Sequence, residues 1–543
     1  MRRGPVLSVR RTCVSLSELP VRLLPVATLA LLALPSFAFA QSNTEDLEYR
    51  ESELNKQKDT LEVRGGFEAQ WHEYDNIDLR LLDETTDQAI LDSDDRNSFA
   101  FTGVQLELGY KVDPKTRLVV GASHRGLWGN DQIGNVNRFG GLLYFTSLYV
   151  DYAPMGLKKS PVRIRMGREF FSLGGLGGAK DYILADVLDQ VRVTVKTGDA
   201  GRFEIIPVTV VGQSSENDNA NFVSYIGQNS TQTFGFRGDN MTRRFGGMYV
   251  FDGVEGLDAR AYAFYTDIGS LGNGSDISYN GSLGNFSDND WAANAGLRVA
   301  YTINEMITPF ASVDLSRGID RREEVAQDIT NDGMALYGGV TVDTRNKKGK
   351  GLRAEASFFT ADGATFDGDT ALQSGHGFVG MKARQVGGTI TDRFMGWHPT
   401  AYVGMFGISD NPQDISRKSG TQVIHASAGY TLPFGLGFAA SWWQMRDTGS
   451  TDFDLDTLTS INPPFGYSRE EFAAEERLGK VLGQEIDIDI SQQLSESLTF
   501  TINGALFTPG EFYELPIARV AGDALGGDAQ NAWAVNAGTR LRF

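Results

Sequence analysis

The side chains that could carry out catalysis are few in this sequence of 543 residues, and they lie far apart. No two histidines have the spacing that brings a pair of imidazoles to one metal ion on a helix, and no Gly-x-Ser-x-Gly nucleophile elbow is evident. The one cysteine, Cys13, lies within the amino-terminal leader, so a thiol nucleophile is excluded from the rest of the chain. We therefore expect neither an enzyme nor a cofactor. The histidines are His72, His124, His376, His398 and His425.

Arginine is the residue type whose spacing does suggest a chemical role. Basic side chains recur at alternate positions of many predicted strands, and parity places them on the inner face of a closed sheet. Rings of Arg and Lys select anions, because the guanidinium fork pairs with carboxylates. Carboxylates on the same face support a second interpretation, in which ion pairs stiffen the wall, and both can hold at once. The predicted inward basic residues are Arg64, Arg125, Arg163, Arg165, Arg192, Arg260, Arg298, Arg353, Lys382, Arg384, Arg540 and Arg542, and the acidic ones are Glu62, Glu68, Glu107, Glu355, Glu485, Asp487 and Asp489.

Two loop motifs have the composition of ligand sites. Gly174–Lys180 is rich in glycine, like a phosphate loop, but no Ser or Thr follows the lysine and no amphipathic helix follows the motif. We interpret it as a flexible loop. Asp452, Asp454 and Asp456 alternate in a long acidic segment and are weak candidates for a divalent-cation site, since hard cations prefer clustered carboxylates. The alternative is a solvated surface loop.

The elements that must position these residues are β-strands, because apolar and polar residues alternate along most of the chain. In Leu61–Trp71 the odd positions are mainly apolar and the even positions mainly polar. Similar alternation occurs in 104–112, 162–166, 352–358 and 486–490. A strand of about ten residues is long enough to cross a membrane at a tilt.

The connections between these strands alternate in length. Short turns such as Leu432–Gly435 follow every second strand, and long loops such as Val211–Asn240 follow the others, as in bacterial outer-membrane barrels. The last strand ends at Phe543, and a terminal aromatic residue resembles the signal for barrel assembly. The fold class predicted is all-β, a single large antiparallel transmembrane barrel of about 18–20 strands, with short periplasmic turns and long extracellular loops. Two weak segments, 377–386 and 401–409, enter the count of about 20.

The amino terminus predicts export. Residues 1–40 combine a basic region, an apolar run and Ala38-Phe39-Ala40, which together are typical of a cleaved signal peptide. Residues 41–60 are polar and are expected to form a periplasmic segment, so the barrel should comprise residues 61–543. The net charge of −19 argues against nucleic-acid binding.

Met166–Glu169 and Asp189–Arg192 form one recognisable pattern, and Gly483–Asp487 with Phe507–Gly510 forms another. These stretches resemble the Gly-Arg-Gln/Glu, Asp-x-Val-Arg, Glu-Ile-Asp and Phe-x-Pro-Gly motifs of the alginate-export family of outer-membrane proteins. The resemblance implies a monomeric barrel of about 18 strands. It also implies an Arg-rich, anion-selective pore through which an acidic exopolysaccharide leaves the cell. The motif residues that it places in the lumen are Arg168, Glu169, Asp189, Arg192, Glu485 and Asp487.

The leading hypothesis from the sequence is an outer-membrane channel for anionic saccharide, of the alginate-export type. A general or substrate-specific porin for small anionic nutrients is the first alternative, and a structural or adhesion barrel that acts through its acidic loops is the second. The partners expected are outer-membrane lipid and lipopolysaccharide, the barrel assembly machinery, periplasmic polysaccharide-secretion proteins and the anionic saccharide, with no nucleic acid.

Overall fold

The computed structural model describes residues 61–75, 97–128, 142–175, 181–211, 242–268, 290–320, 329–346, 349–363, 365–366, 373–375, 377–378, 380–381, 387–393, 421–448, 481–510 and 531–543. The predicted signal peptide (1–40), the predicted periplasmic segment (41–60) and the segment 401–409 lie outside these residues.

Eighteen long antiparallel strands form one closed barrel, and each pairs with its neighbours in the chain. The first strand pairs with both the second and the last, which closes the sheet and leaves no free edge. The strands are β1 Leu61–Asp75, β2 Asn97–Lys111, β3 Thr116–Trp128, β4 Leu142–Tyr152, β5 Val162–Ser172, β6 Ala185–Lys196, β7 Gly201–Val211, β8 Thr242–Phe251, β9 Leu257–Ile268, β10 Asp290–Tyr301, β11 Ile307–Asp320, β12 Ile329–Asp343, β13 Gly351–Ala361, β16 Thr421–Thr431, β17 Leu436–Asp447, β18 Val481–Gln493, β19 Leu498–Pro509 and β20 Ala532–Arg542.

Between β13 and β16, which pair directly, the residues that the structure describes include three short elements. These are β14 (Thr365–Phe366), β15 (Gln373–Gly375) and helix α1 (Thr389–Arg393). The predicted barrel is therefore confirmed, at the lower end of the predicted strand number. The described residues of the weak segment 377–386 do not form a barrel strand, because β13 takes its backbone partners from β12 and β16 instead.

Alternation along the strands separates an outer from an inner face, as the sequence predicted. On β1, Leu61 is 55% exposed, whereas the neighbouring Glu62 is 5% exposed. Outward positions on other strands carry large exposed apolar side chains, for example Ile488 and Leu297. Such a surface fits a barrel whose outer wall faces lipid and whose polar residues face the lumen.

The short turns are stabilised by contacts within their own sequences. Asp113 Oδ1 accepts a hydrogen bond from the backbone N–H of Lys115 at 2.6 Å in the turn after β2. This bond holds the pKa of the Asp113 carboxyl below its ordinary value. In the turn after β10, Asn304 and Glu305 adopt positive φ angles of 51° and 58°, which tight reversals between twisted strands require. In the part of the chain that the structure describes, no helix is long and apolar enough to cross a membrane.

Candidate permeation pathway

Two stretches of chain fold into the barrel instead of staying at its rim. We call residues 173–175 and 181–184, which connect β5 to β6, the first inner segment. Residues 377–378, 380–381 and 387–393, between β15 and β16, form the second inner segment. Side chains on the inner face of the wall hold both segments.

Arg298 on β10 is the main polar anchor of the first inner segment. Its guanidinium donates to Asp181 Oδ1 at 3.0 Å and to the carbonyl of Gly174 at 3.2 Å. Asp314 on β11 lies 3.5 Å from the same guanidinium, so one buried cation lies between two buried carboxylates. Pairing of this kind offsets the cost of removing the charges from water.

Arg260 on β9 provides a second anchor for the same segment. Its Nη1 donates to the carbonyl of Leu173 at 2.5 Å, and the other edge of the guanidinium pairs with Asp258 at 2.6 Å. Gly174 has a φ of 84°, and a Cβ at this position would overlap the Arg260 guanidinium. A glycine is therefore required for this close approach of segment and wall.

Aromatic packing adds to these polar contacts. Tyr182 of the first inner segment packs against Tyr337 and Phe359, with ring centroids 5.1 Å apart in both pairs. The ring centroids of Phe310 and Tyr337 are 5.0 Å apart. Leu173, Ile183 and Leu184 of the first inner segment are fully buried. This side of the lumen is therefore filled by a packed apolar core.

The second inner segment is held by acidic residues of β18. Glu485 accepts hydrogen bonds from the backbone N–H groups of Ile390 at 2.6 Å and Thr391 at 3.1 Å, and from the Thr391 hydroxyl. Asp487 accepts from the N–H of Thr389 at 2.9 Å. Carboxylates suit this position because the first N–H groups of a helical turn have no partner within the turn.

The two inner segments touch each other. The backbone N–H of Met381 in the second segment donates to the carbonyl of Ile183 in the first, at 3.1 Å. Segments anchored on β9–β10 and on β18 therefore meet inside the barrel. A barrel of this strand number has a wide lumen, and the two segments occupy part of it.

A network of ion pairs runs across the inner face of β4 to β7. Arg165 pairs with Asp151 at 3.0 Å and with Glu169 at 2.6 Å. Arg192 continues the network, to Glu169 at 2.8 Å and to Glu204 at 3.0 Å. All five side chains are buried, so in this part of the wall the geometry is that of the predicted stiffening network.

Most residues predicted to line the lumen do lie on the inner face. They comprise the network and anchor residues Arg165, Glu169, Arg192, Arg260, Arg298, Glu485 and Asp487, together with Arg64, Arg163, Arg353 and Arg540. Arg540 also pairs with Glu68 on β1 at 3.3 Å.

Arg168 and Asp189 were wrongly predicted to line the lumen, because the structure places both on the outer face. Arg168 lies opposite Leu148 in the β4–β5 register, and Leu148 is an exposed outward residue. The neighbouring Glu169 is buried inside. Consecutive residues of a strand point to opposite faces, so the motif could not place both inside.

Several predicted site residues lie beyond what the structure describes. The backbone of Arg125 lies on β3, but its side chain is outside the described part. The others are Lys382 and Arg384, and the weak metal candidates Asp452, Asp454 and Asp456. Among the described residues, no group of three or more His, Cys, Asp or Glu side chains could hold a metal ion.

The residues of the inner segments themselves were not predicted from the sequence. Asp181 and the backbone of 388–391 make the decisive contacts, yet neither stretch has strand or helix periodicity. The available signal was the glycine-rich Gly174–Lys180 motif, whose first glycine makes the close approach to Arg260. Residues 176–180 lie outside the described part.

The similarity of this chain to known proteins is a similarity of fold. No family model matches the chain, and no curated protein matches it. The fold is similar to that of OccK5 (OpdH) of Pseudomonas aeruginosa, at 10% identity and a TM-score of 0.41, covering 89% of this chain and 98% of that one. OprD of the same organism has 12% identity and a TM-score of 0.41, with 89% and 94% covered. OccAB2 of Acinetobacter baumannii has 12% identity and a TM-score of 0.42, with 89% and 98% covered.

The chain is a closed outer-membrane β-barrel. Its assignment to the alginate-export family was wrong. The similar solved structures are porins of the OccK and OprD kind, which differ from alginate exporters. Two of the motif residues also serve a different purpose in this barrel, because Arg168 faces outward and Glu485 binds α1. Exopolysaccharide export is therefore not supported.

Proposed function

We propose that this barrel is a passive diffusion porin for small, preferentially anionic solutes such as nutrients. The observation that carries the proposal is the contact between the two inner segments, anchored on separate parts of the wall. A path narrowed in this way suits small molecules better than a polymer chain. Passive diffusion needs no catalytic group and no cofactor.

The preference for anions rests on how the ion pairs are oriented. On β7 the Arg202 side chain is 37% exposed, whereas its partner Glu204 is 7% exposed. On β5 the Arg163 side chain is 27% exposed, and Asp151 behind it is 2% exposed. In these two pairs the guanidinium is more exposed than the carboxylate, which favours anions. Asp252, which is 57% exposed, lies 3.6 Å from the same Arg202 guanidinium and weakens this preference.

The pair on β9 is oriented the other way, since Asp258 is more exposed than Arg260. Buried Arg residues such as Arg192 are paired within the wall, so they contribute less to the electrostatic potential along the path. We therefore expect a moderate preference for anions rather than exclusion of cations. Insertion by the barrel assembly machinery and contact with lipopolysaccharide belong to the same proposal.

The experiment is a reversal-potential measurement on the purified full-length barrel in planar bilayers under a KCl gradient. We expect open channels whose reversal potential has the sign of chloride preference. Arg202→Gln should reduce that potential, because it removes the most exposed of these paired guanidinium groups. A matched control is Lys115→Gln, which removes one positive charge from an exposed turn outside the wall.

Two results would overturn the proposal. One is a correctly folded barrel that conducts no ions. The other is a cation preference in the unsubstituted protein that Arg202→Gln leaves unchanged. Liposome swelling in small sugar acids and in neutral sugars of equal size gives an independent measure of the same preference.

A further inference from the structure

One ion pair of the wall lies on the outer face, in an apolar setting. Arg168 on β5 and Asp189 on β6 are direct cross-strand neighbours. Two hydrogen bonds join them, Nε to Oδ1 at 2.9 Å and Nη2 to Oδ2 at 2.6 Å. Their side chains are 43% and 47% exposed, so the pair stands on the outer surface and is not covered by the barrel.

The pair lies well inside the span of the wall. Arg168 is the seventh of the eleven residues of β5, and a strand of about 9–11 residues crosses the hydrocarbon core. Apolar outward residues flank it along its strand, with Met166 on one side and Phe170 on the other. Leu148 is its neighbour on β4 and is also exposed.

A charged pair in this setting is better covered by protein than by lipid tails. Hydrocarbon cannot hydrogen-bond to a guanidinium or a carboxylate, and charges on the lipid face of a barrel are destabilising. A lipid phosphate fits poorly, because Asp189 repels the same anion that Arg168 attracts. A second cation and anion facing the pair would complement both charges at once.

We propose that the outer face of β4–β6, centred on Arg168 and Asp189, is the contact surface with a second copy of this chain. Two copies with the same orientation in a membrane are related by a two-fold axis along the membrane normal. Such an axis brings Arg168 of each copy opposite Asp189 of the other, because the two residues lie side by side on the wall. The outward residues Leu148 and Met166 then form the apolar border of the contact.

The charge pattern allows a test that distinguishes a dimer contact from a purely structural role of the pair. A purely structural role does not predict that two charge variants restore each other's dimerisation. Arg168→Asp leaves two acidic residues in the patch, and Asp189→Arg leaves two basic ones. Each variant alone should form dimers with a dissociation constant raised by about tenfold or more, because like charges meet across the axis. Refolding the two variants together should restore a mixed dimer, in which acidic and basic patches face each other.

The oligomeric state is measured by native mass spectrometry of the full barrel in detergent and by disulfide trapping in membranes. Met166→Cys, beside the proposed axis, should give a covalent dimer, since Cys13 in the leader is the only natural cysteine. Ile488→Cys is the matched control on the outer face of β18, and it should give none. Heat-dependent mobility in denaturing gels confirms that each variant is folded.

A monomer in the unsubstituted protein would overturn the proposal. Equal trapping of Met166→Cys and Ile488→Cys would also overturn it. The proposal would also fail if a mixed sample of the two charge variants stayed monomeric. It would fail as well if a single barrel carried bound lipopolysaccharide whose binding depended on Arg168. The exchanged variant Arg168→Asp with Asp189→Arg should dimerise like the unsubstituted chain, because every pair is kept with its partners reversed.

Discussion

The two inner segments are held by wall residues of opposite charge. Cations of β9 and β10 donate to the first segment, through Arg260 and Arg298. Anions of β18 accept from the second segment, through Glu485 and Asp487. The difference shows that inward charges of either sign can bind the protein's own backbone. An inward arginine is therefore not by itself a site for a solute.

The segments also differ in what surrounds their polar anchors. The first segment places Tyr182 and Leu184 in an aromatic core and has a buried ion pair as well. The second also buries Phe378 and Met381, but its α1 is held mainly by hydrogen bonds to two carboxylates, with Ile390 as the buried apolar residue of that helix. We therefore expect that loss of Arg298, which anchors the first segment, affects folding. Loss of Glu485, which anchors the second segment, should affect mainly the width of the path.

The largest effect is expected for Arg298→Met. It leaves Asp181 and Asp314 buried without their shared cation, and breaking such a pair costs about 3–5 kcal/mol. Equilibrium unfolding of the refolded barrel in guanidinium chloride measures the loss. Arg540→Met is the control, because its pair with Glu68 is partly exposed and should contribute about 0–1 kcal/mol. Equal losses in both variants would contradict the role assigned to Arg298.

A smaller effect on stability, with a clear effect on the channel, is expected for Glu485→Ala. The substitution removes the acceptor of Ile390 and Thr391, and bonds to a charged group contribute about 1.5–3 kcal/mol each. It also removes the repulsion between the neighbouring Glu485 and Asp487 carboxylates, so the net loss of stability should be smaller than for Arg298→Met. Release of α1 should raise the single-channel conductance and its fluctuations. Asp489→Ala, on the same face of β18 but bonded to Asn503, serves as the control. Unchanged conductance after Glu485→Ala would mean that α1 does not narrow the path.

The smallest effect is expected for charges at the exposed ends of the wall. Arg540→Gln removes a partly exposed inward cation. It should reduce the ratio of chloride to potassium permeability by a factor of about five or less, since a single charge about 4 Å from an ion in water contributes about 1 kcal/mol. Reversal potentials measure the ratio. An increase in anion preference would be inconsistent with the proposed orientation of the pairs.

The barrel was predictable because its signal is local and repeated. Period-two alternation assigns each strand residue to one face, and this placed Arg165, Arg298 and Glu485 correctly. Where a motif replaced that rule, the prediction failed, as at Arg168 and Asp189. Adjacent residues cannot share a face, so parity alone would have separated Arg168 from Glu169.

The inner segments were not predictable, because their contacts join residues that are distant in sequence. Arg298 and Asp181 are 117 residues apart, and Glu485 and Thr391 are 94 apart. Neither segment has a periodic pattern, and the bonds to 388–391 are made by backbone atoms that every residue possesses. The sequence therefore predicted the charged inward residues of the wall, but not the inner segments that these residues bind.

The most direct test of the account is the exclusion of neutral polymers from the channel. Single-channel conductance is recorded in planar bilayers with polyethylene glycols of increasing size, for the unsubstituted barrel and for Glu485→Ala. Polymers small enough to enter reduce the conductance, and the size at which this effect disappears reports the width of the path. We predict a cut-off at small polymers in the unsubstituted protein and a shift to larger ones in Glu485→Ala. A cut-off as wide as an empty barrel of eighteen strands, equal in both proteins, would contradict the account.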